Sequence, residues 1–503
     1  MDLARTLVHA VLDGSVARTP DAAAVRDARG AWTYRETDEY SRAFQAWLVS
    51  QGVRPGERVL VQTPTDRELV AMFMGCSRAG AIFVPININM KAFLLRSVLA
   101  NSEPAVVIGD DERIGTLRRI AAVPAHETGA LWKEVEALRE APDALPLPDP
   151  GTSPDDVASL VYTSGSTAAP KAVACTHGAA TFATRAIDAE LRYRSDDVVF
   201  CRFPMSWDYG LYKVLLAFNA GSEIVLAGGE SDLLLLRRIR ETGATIIPIV
   251  PSLATMIVNL LRRESEPLRG VRMFTNTGAA LAPSTIEALH GAFPGARVVR
   301  QFGQTECKRI SIMPPEEEDE RPDCVGRPLP GTRVLILDDA GNPLPTGAIG
   351  EIVVTGPHLM AGYWRDPELT DSTYRRDPRT SERRLHTGDY GRLDEDGYLY
   401  FDGRRDDMFK RKGIRMSTLE IEAAAMDVPG VRAAAILPPV DGRDLAVCVA
   451  GDLEPHIVLQ EMGRRLEPAK VPAVCHVLDE LPLTAHGKNA PRVLAEMLYG
   501  GNA

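Results

Sequence analysis

The sequence is poor in the features that mark secreted, membrane-spanning or metal-stapled proteins. Its 7 cysteines among 503 residues show no Cys-x-x-Cys and no paired Cys/His spacing. That speaks against a disulfide framework or a structural zinc site and suits a reducing, cytoplasmic setting. Long apolar runs are missing too: the most apolar stretch, 244–258, is interrupted by Pro248 and Pro251 and is too short to span a bilayer. The N-terminus, Met1-Asp2-Leu3-Ala4-Arg5, has no charged segment leading into an apolar one, so no signal peptide is expected. Positive charge is in deficit, with 57 Lys and Arg against 68 Asp and Glu and a net charge of -11. This balance argues against a general nucleic-acid binder. Repeats and low-complexity tracts are absent as well.

What is present is an ordinary globular composition, 45% apolar and 25% charged, in a chain long enough for more than one domain. Up to residue 150, an amphipathic stretch at Leu3 to Val16 precedes a strand-like run at 58–62, a helical pattern at 69–78 and another strand-like run at 81–85. The same alternation returns with strand-like runs at 198–202, 223–226, 245–249 and 297–301. Such alternation predicts α/β layers with parallel strands. The acidic run Glu316-Glu317-Glu318-Asp319-Glu320 reads as a solvated loop. From Gly331 the pattern becomes β-hairpins with turns at 339–342 and 394–397. The last hundred or so residues read as a small α/β unit, with a helix from Ser417, strands at 432–437 and 445–450, and a helix from Pro455.

The first chemical signal is Tyr162-Thr163-Ser164-Gly165-Ser166-Thr167-Ala168-Ala169-Pro170-Lys171, directly after the apolar run 158–161. A hydroxyl- and glycine-rich loop after a strand presents N–H and O–H donors, and a lysine adds charge, which together suit a polyphosphate. It lacks the spacing of a Walker A loop. A plain Ser/Thr turn is the alternative reading of this segment taken alone.

With this loop the sequence resembles the adenylate-forming superfamily: acyl-CoA synthetases, peptide-synthetase adenylation domains and luciferases. It is most like a stand-alone amino-acid adenylation enzyme. Ala168 and Ala172 stand where the family loop has glycines. Further motifs follow in family order: Trp32-Thr33-Tyr34-Arg35-Glu36, the segment 78–86, Phe302-Gly303-Gln304-Thr305-Glu306, and Gly350-Glu351-Ile352 through Gly362-Tyr363-Trp364. After them come His386-Thr387-Gly388-Asp389, Gly403-Arg404-Arg405-Asp406-Asp407, and Pro482-Leu483-Thr484-Ala485-His486-Gly487-Lys488. Any one motif is weak, whereas an ordered set reaching from residue 32 to 488 is specific.

The resemblance implies ATP-dependent activation of a carboxylic acid as its acyl-adenylate, with release of pyrophosphate. It implies a large N-terminal core over 1–402, with parallel-type α/β sheets and a β-rich subdomain. A hinge at 403–406 and a small mobile α/β domain over 407–503 would complete the chain. Thr163, Ser164, Ser166, Thr167 and Lys171 would cradle phosphates, and Gln301, Phe302 and Gly303 would contact the nucleotide. Thr305 would bond the α-phosphate and Glu306 would ligate Mg²⁺, for which carboxylate oxygen is the right donor. Asp389 would accept the ribose hydroxyls, Arg404 and Lys410 would support the nucleotide, and Lys488 would bridge the substrate carboxylate and the α-phosphate. Rotation about Asp406 would exchange Lys488 for the segment 410–415 between the half-reactions. Without the ordered set, Asp389 and Asp406 would read as hairpin-turn aspartates and Lys488 as a solvated loop lysine.

The acid to be activated is less defined. Ser206-Trp207-Asp208-Tyr209-Gly210-Leu211-Tyr212 is similar to the stretch in which amino-acid-activating relatives carry an aspartate for the substrate ammonium. The alternative reading is that Asp208 is the N-cap of a helix over 209–218. By the same alignment Tyr209, Tyr212, Pro248, Thr275, Thr277, Gly278, Gln301, Arg309 and Ile310 line the pocket, which suits a small or polar amino acid. Arg309 would meet a substrate carboxylate or the acidic loop after it, and the segment 303–309 is unusual for a peptide-synthetase domain. No carrier-protein signature follows the small domain and no condensation module precedes the core. The expected acceptor is therefore the phosphopantetheine thiol of a free carrier protein. An acyl-CoA ligase for a non-amino acid is the alternative, and an inactive binding protein a third reading that Glu306, Asp389 and Lys488 disfavour. No nucleic-acid or membrane partner is expected.

Overall fold

The computed structural model describes residues 6–141, 147, 149–163, 170–262, 268–318, 320–321, 323–404, 408–411, 414–440, 443–466, 468, 470–483 and 490–500. At 408, 410, 414–417, 419–420 and 492 the description covers the backbone only. The chain forms two compact units. One comprises Met1–Ala279, Leu289–Val334 and Val354–His386; the other comprises Ala280–Ala288, Leu335–Val353 and Thr387–Ala503.

Two sheets organise the first unit. Among the described residues the larger has nine strands, ordered Arg327–Pro328, Ser311–Ile312, Arg297–Phe302, Met273–Asn276, Ile246–Ile249, Val198–Cys201, Glu223–Leu226, Ala23–Asp27 and Gly30–Thr33. The run from Arg297–Phe302 to Ala23–Asp27 is parallel, and antiparallel strands close both edges. The second sheet has seven strands, with parallel pairing from Ala125–Glu127 to Val157–Thr163. Its strands are near-continuous apolar runs such as Ile82–Pro85, buried throughout, as expected of parallel strands covered on both faces. Leu60, Val84, Val107 and Leu160 from these strands pack with Leu95 and Val98 of the helix Ala92–Ser102. The predicted parallel α/β layers are therefore present.

Differences from the sequence reading are local. The first helix is His9–Arg18, later than the amphipathic stretch from Leu3. The acidic run is only partly solvated: Glu318 is buried, and its Oε2 accepts from the Val298 N–H at 2.9 Å. A backbone donor reached by that strand makes burial of this carboxylate tolerable.

A five-stranded sheet is built from residues 333–404. In it the strand Arg383–Leu393 pairs antiparallel with Leu399–Arg404 through the turn that carries Gly397 at φ 78°. Farther along, a sheet of Val431–Leu437, Ala446–Gly451 and Val474–Leu478 packs its Val447 and Val449 with Ile421 of the helix Thr418–Met426 and Val458 of the helix Pro455–Gly463. The small α/β unit read from the C-terminal sequence is this one. No helix among the described residues is long and apolar enough to cross a membrane.

The parallel strands of the larger sheet place the candidate residues. Pro248, Thr275 and Val299 are register partners on adjacent strands. The carboxyl ends of two of these strands feed directly into Thr277-Gly278 and into 303–310. Ligands in such sheets bind at the carboxyl ends of the strands.

Candidate active site

Asp208 is the first residue of the helix Asp208–Ala220, whose N-cap is Trp207 and has no side-chain capping bond. The capping reading of Asp208 is therefore set aside. Its carboxylate instead holds the Lys308 ammonium at 3.0 Å. Gly210 makes this placement possible, because a Cβ there would run into the carbonyl oxygens of Phe203 and Pro204. The opening turn of the helix thus lies hard against that segment, with Asp208 and Tyr209 at its tip.

Lys308 reaches Asp208 through an unusual backbone. It sits at φ 63°, a left-handed conformation that costs a side-chain-bearing residue. The chain folds back so tightly here that a Cβ at Gly303 would lie 2.7 Å from Arg309 Cα and 2.8 Å from Lys308 O. Lys308 and Arg309 are both buried as a result. Burial pushes the Lys308 ammonium down to about 8, Arg309 adds to the fall, and Asp208 opposes it. Arg309 donates from Nη1 to Thr277 Oγ1 at 2.7 Å. The acidic run finds other partners, Glu316 with Arg192 and Glu317 with Arg327, and among the described residues the alternative pairing of Arg309 with that loop is not found.

Tyr209 ties the pocket together. Its hydroxyl donates to the Thr275 carbonyl oxygen, and its ring centre lies 4.8 Å from Lys213 Nζ, 5.3 Å from Lys308 Nζ and 5.9 Å from Arg309 Cζ. The Tyr212 ring centre is 4.7 Å from Lys308 Nζ. Three cationic side chains therefore crowd one phenol, and Asp208 pairs with one of them, Lys308. Ser206 Oγ, the Tyr212 hydroxyl and both polar atoms of the Gln301 amide are buried with no hydrogen-bond partner. Buried polar atoms are seldom left unpaired, so these are candidate donors and acceptors for a ligand. Pro248, Thr275 and Ile310 are buried around it, whereas Gly278 is exposed at φ 89°.

Glu306 faces different company. Its Oε1 accepts from the Tyr363 hydroxyl at 2.6 Å, and its backbone carbonyl accepts from the Tyr374 hydroxyl at 2.9 Å. Lys171 Nζ lies 5.9 Å from the Tyr363 ring centre, and Thr163 is the register partner of Lys171. Tyr363 thus joins the phosphate-loop lysine to the candidate metal ligand. Among the described residues no cluster of three or more His, Cys, Asp or Glu is disposed to cage a metal. A single carboxylate fits Mg²⁺ held jointly with phosphate oxygens. Thr305, Phe302 and Gly303 are half-buried beside Glu306 in sequence.

In the five-stranded sheet, Asp389 lies within a strand, opposite Arg404, rather than in a hairpin turn. It is buried, and Arg404 Nε meets its Oδ1 at 3.3 Å. Ser164, Ser166, Thr167, Asp406 and Lys488 lie outside the described residues, and Lys410 is described only as backbone of the strand Met408–Arg411. Three residues that the sequence reading left without a site role join the site: Lys308, Lys213 and Tyr363. Lys213 was detectable as a lone lysine inside the apolar helical run 211–218.

Residues 12–364 match the AMP-binding enzyme family. The chain is 31% identical over 503 residues to CymA, a probable non-canonical nonribosomal peptide synthetase of Salinispora arenicola, covering 97% of this chain and 6% of that protein. It is 30% identical over 484 residues to the feruloyl-CoA synthase of an Amycolatopsis species, covering 93% of this chain and 94% of the relative. Across the first three curated relatives the chain spans 6%, 38% and 44% of their length. Among solved structures, VinN superposes with a TM-score of 0.75 at 53% identity over 80% of this chain and 99% of VinN. VinN has also been solved with L-aspartate and with 3-methylaspartate.

Proposed function

The chain belongs to the AMP-binding enzyme family, whose members are AMP-forming ligases using ATP with Mg²⁺, and we propose that it adenylates an amino acid carrying a second carboxylate. The observation that carries this reading is the grouping of a half-buried Asp208 with the buried Lys308 and Arg309. Asp208 supplies the anion for a substrate ammonium, sharing its charge with Lys308. Lys308 and Arg309 leave a cationic excess in a desolvated pocket, where an anion is held by strong charge-assisted bonds. The VinN complexes with L-aspartate and 3-methylaspartate support the same assignment.

For the adenylation step Glu306, steadied by Tyr363, would hold Mg²⁺, which would offset phosphate charge. Lys171 and the 163–167 loop meet the phosphates, Thr305 bonds the α-phosphate, and Gln301, Phe302 and Gly303 flank the base. Asp389, with Arg404 Nε 3.3 Å from its Oδ1, would hold the ribose. Lys488 then bridges the two reacting groups, and rotation about Asp406 withdraws it for transfer to a thiol. We assign that thiol to a carrier-protein phosphopantetheine, on the strength of the peptide-synthetase relatives. The feruloyl-CoA synthase favours CoA as the second reading.

ATP–pyrophosphate exchange across acidic, amide, small neutral, aryl and fatty acids tests the proposal. Exchange is expected with an acidic amino acid and not with its amide or with aryl acids. Exchange supported by ferulate or fatty acids alone would overturn it. Transfer of label to a phosphopantetheinylated carrier rather than to CoA separates the two acceptors.

A further inference from the structure

Lys213 is a charged residue in a place where its sequence neighbours are apolar. It lies on the helix Asp208–Ala220 between Tyr212 and Val214, and it is 1% exposed. The partners of its Nζ are neutral hydroxyls, Thr275 Oγ1 at 3.1 Å and the Tyr193 hydroxyl at 3.3 Å. A buried ammonium without a carboxylate is costly. Such a group is placed to meet a charge that arrives with a ligand.

Its surroundings say where that charge would lie. Thr275 also bonds Tyr209, whose ring faces Lys308 and Arg309 as well. The charged and titratable groups facing Lys213 are Tyr193, Cys201, Tyr209, Lys308 and Arg309, with Asp208 beyond Lys308. Burial, then Arg309 and Lys308, pull its ammonium well below the ordinary lysine value. An anion entering between these cations reverses both electrostatic effects.

We propose that Lys213 is a specificity-determining positioning residue, a third cation whose charge, transmitted through Thr275 and the Tyr209 ring, makes the pocket prefer a substrate's second carboxylate over the isosteric amide. The inference rests on the acidic-substrate reading above. It adds that discrimination is exerted from behind the pocket wall, by a side chain held on the hydroxyls of Thr275 and Tyr193.

L-aspartate and L-asparagine, which differ in charge at nearly constant shape, are the probes. In pyrophosphate exchange, Lys213→Met is expected to lower the aspartate-over-asparagine ratio of kcat/KM on the order of tenfold. The change should fall in the KM for aspartate, with kcat and the KM for ATP retained, and Lys213→Arg should recover the ratio. The Met variant should melt no lower than the wild type, since it removes a buried ammonium. If wild type itself fails to distinguish aspartate from asparagine, the acidic-substrate reading falls. If wild type distinguishes them and a folded Lys213→Met does so equally, the role of Lys213 alone is overturned.

Discussion

The proposed acyl pocket around Asp208 and the proposed phosphate side around Glu306 share the segment 303–310, yet they hold a carboxylate in opposite ways. Asp208 is already joined to a buried ammonium, Lys308. Glu306 rests on a phenol, a neutral donor that orients the carboxylate without cancelling its charge. On the proposed function the difference follows from what each side would receive. A carboxylate meant for a metal keeps its charge available and is only steered, as outer partners of metal ligands do. A carboxylate in a pocket with surplus cations offsets part of that surplus and leaves the rest for an incoming anion. The two tyrosines of the pocket, Tyr209 and Tyr212, spread the cationic field over their rings, which lets three buried cations stand close together.

Removing either carboxylate should therefore hurt the enzyme differently. Glu306→Gln keeps the shape and the Tyr363 contact but loses the charge. Exchange is expected to fall on the order of a thousandfold, from several kcal/mol of lost charge stabilisation, with the melting temperature nearly unchanged. A fall of less than about tenfold would remove Glu306 from the metal side of the comparison. Asp208→Asn is expected to lower both quantities: exchange with the acidic amino acid by about a hundredfold, and stability by about 1–3 kcal/mol, because Lys308 is left buried and unpaired. The double variant Asp208→Asn/Lys308→Met should regain the stability and not the exchange. Failure to regain it would show that the pair does not carry the cost assigned to it.

The sequence made the sheet architecture and most strand positions visible, because parallel buried strands are written as short apolar runs such as Ile82–Pro85. The residue types at Asp208, Glu306 and Asp389 were also visible, through the ordered motifs. Their partners were not. Lys308 is a charged residue beside a cysteine and an arginine, and on composition it reads as solvated. Only its left-handed backbone, at φ 63°, turns it inward, and no residue pattern announces that torsion. The capping role of Asp208 was undecidable for a similar reason: an aspartate opening a helix satisfies either reading until the position of Lys308 is known. Lys213 was the exception. A lysine with apolar neighbours on every side of a helical run is a legible anomaly, and Leu211 to Phe218 displayed it.

The mildest test of the comparison is pH, and it reaches the acyl pocket while sparing the phosphate side. Lys308 has an ordinary value of 10.5 and is pushed down to about 8 in the folded chain. Below about 8 it is an ammonium, able to serve both Asp208 and a substrate carboxylate. As pH rises through that value the proton leaves, and KM for the acidic amino acid should climb by up to about tenfold per pH unit, while KM for ATP stays level. Stability should move the other way. Between about 8 and 10.5 the unfolded chain keeps the Lys308 proton that the folded chain has lost, so the unfolded state binds more protons and this residue's contribution to stability grows with pH. Affinity for the acid thus falls while the fold gains, which separates this effect from general alkaline unfolding, where both decline together. Lys308→Met should flatten the KM profile. A wild-type profile already flat to pH values well above 8 would mean that the substrate carboxylate is held by Arg309 without Lys308.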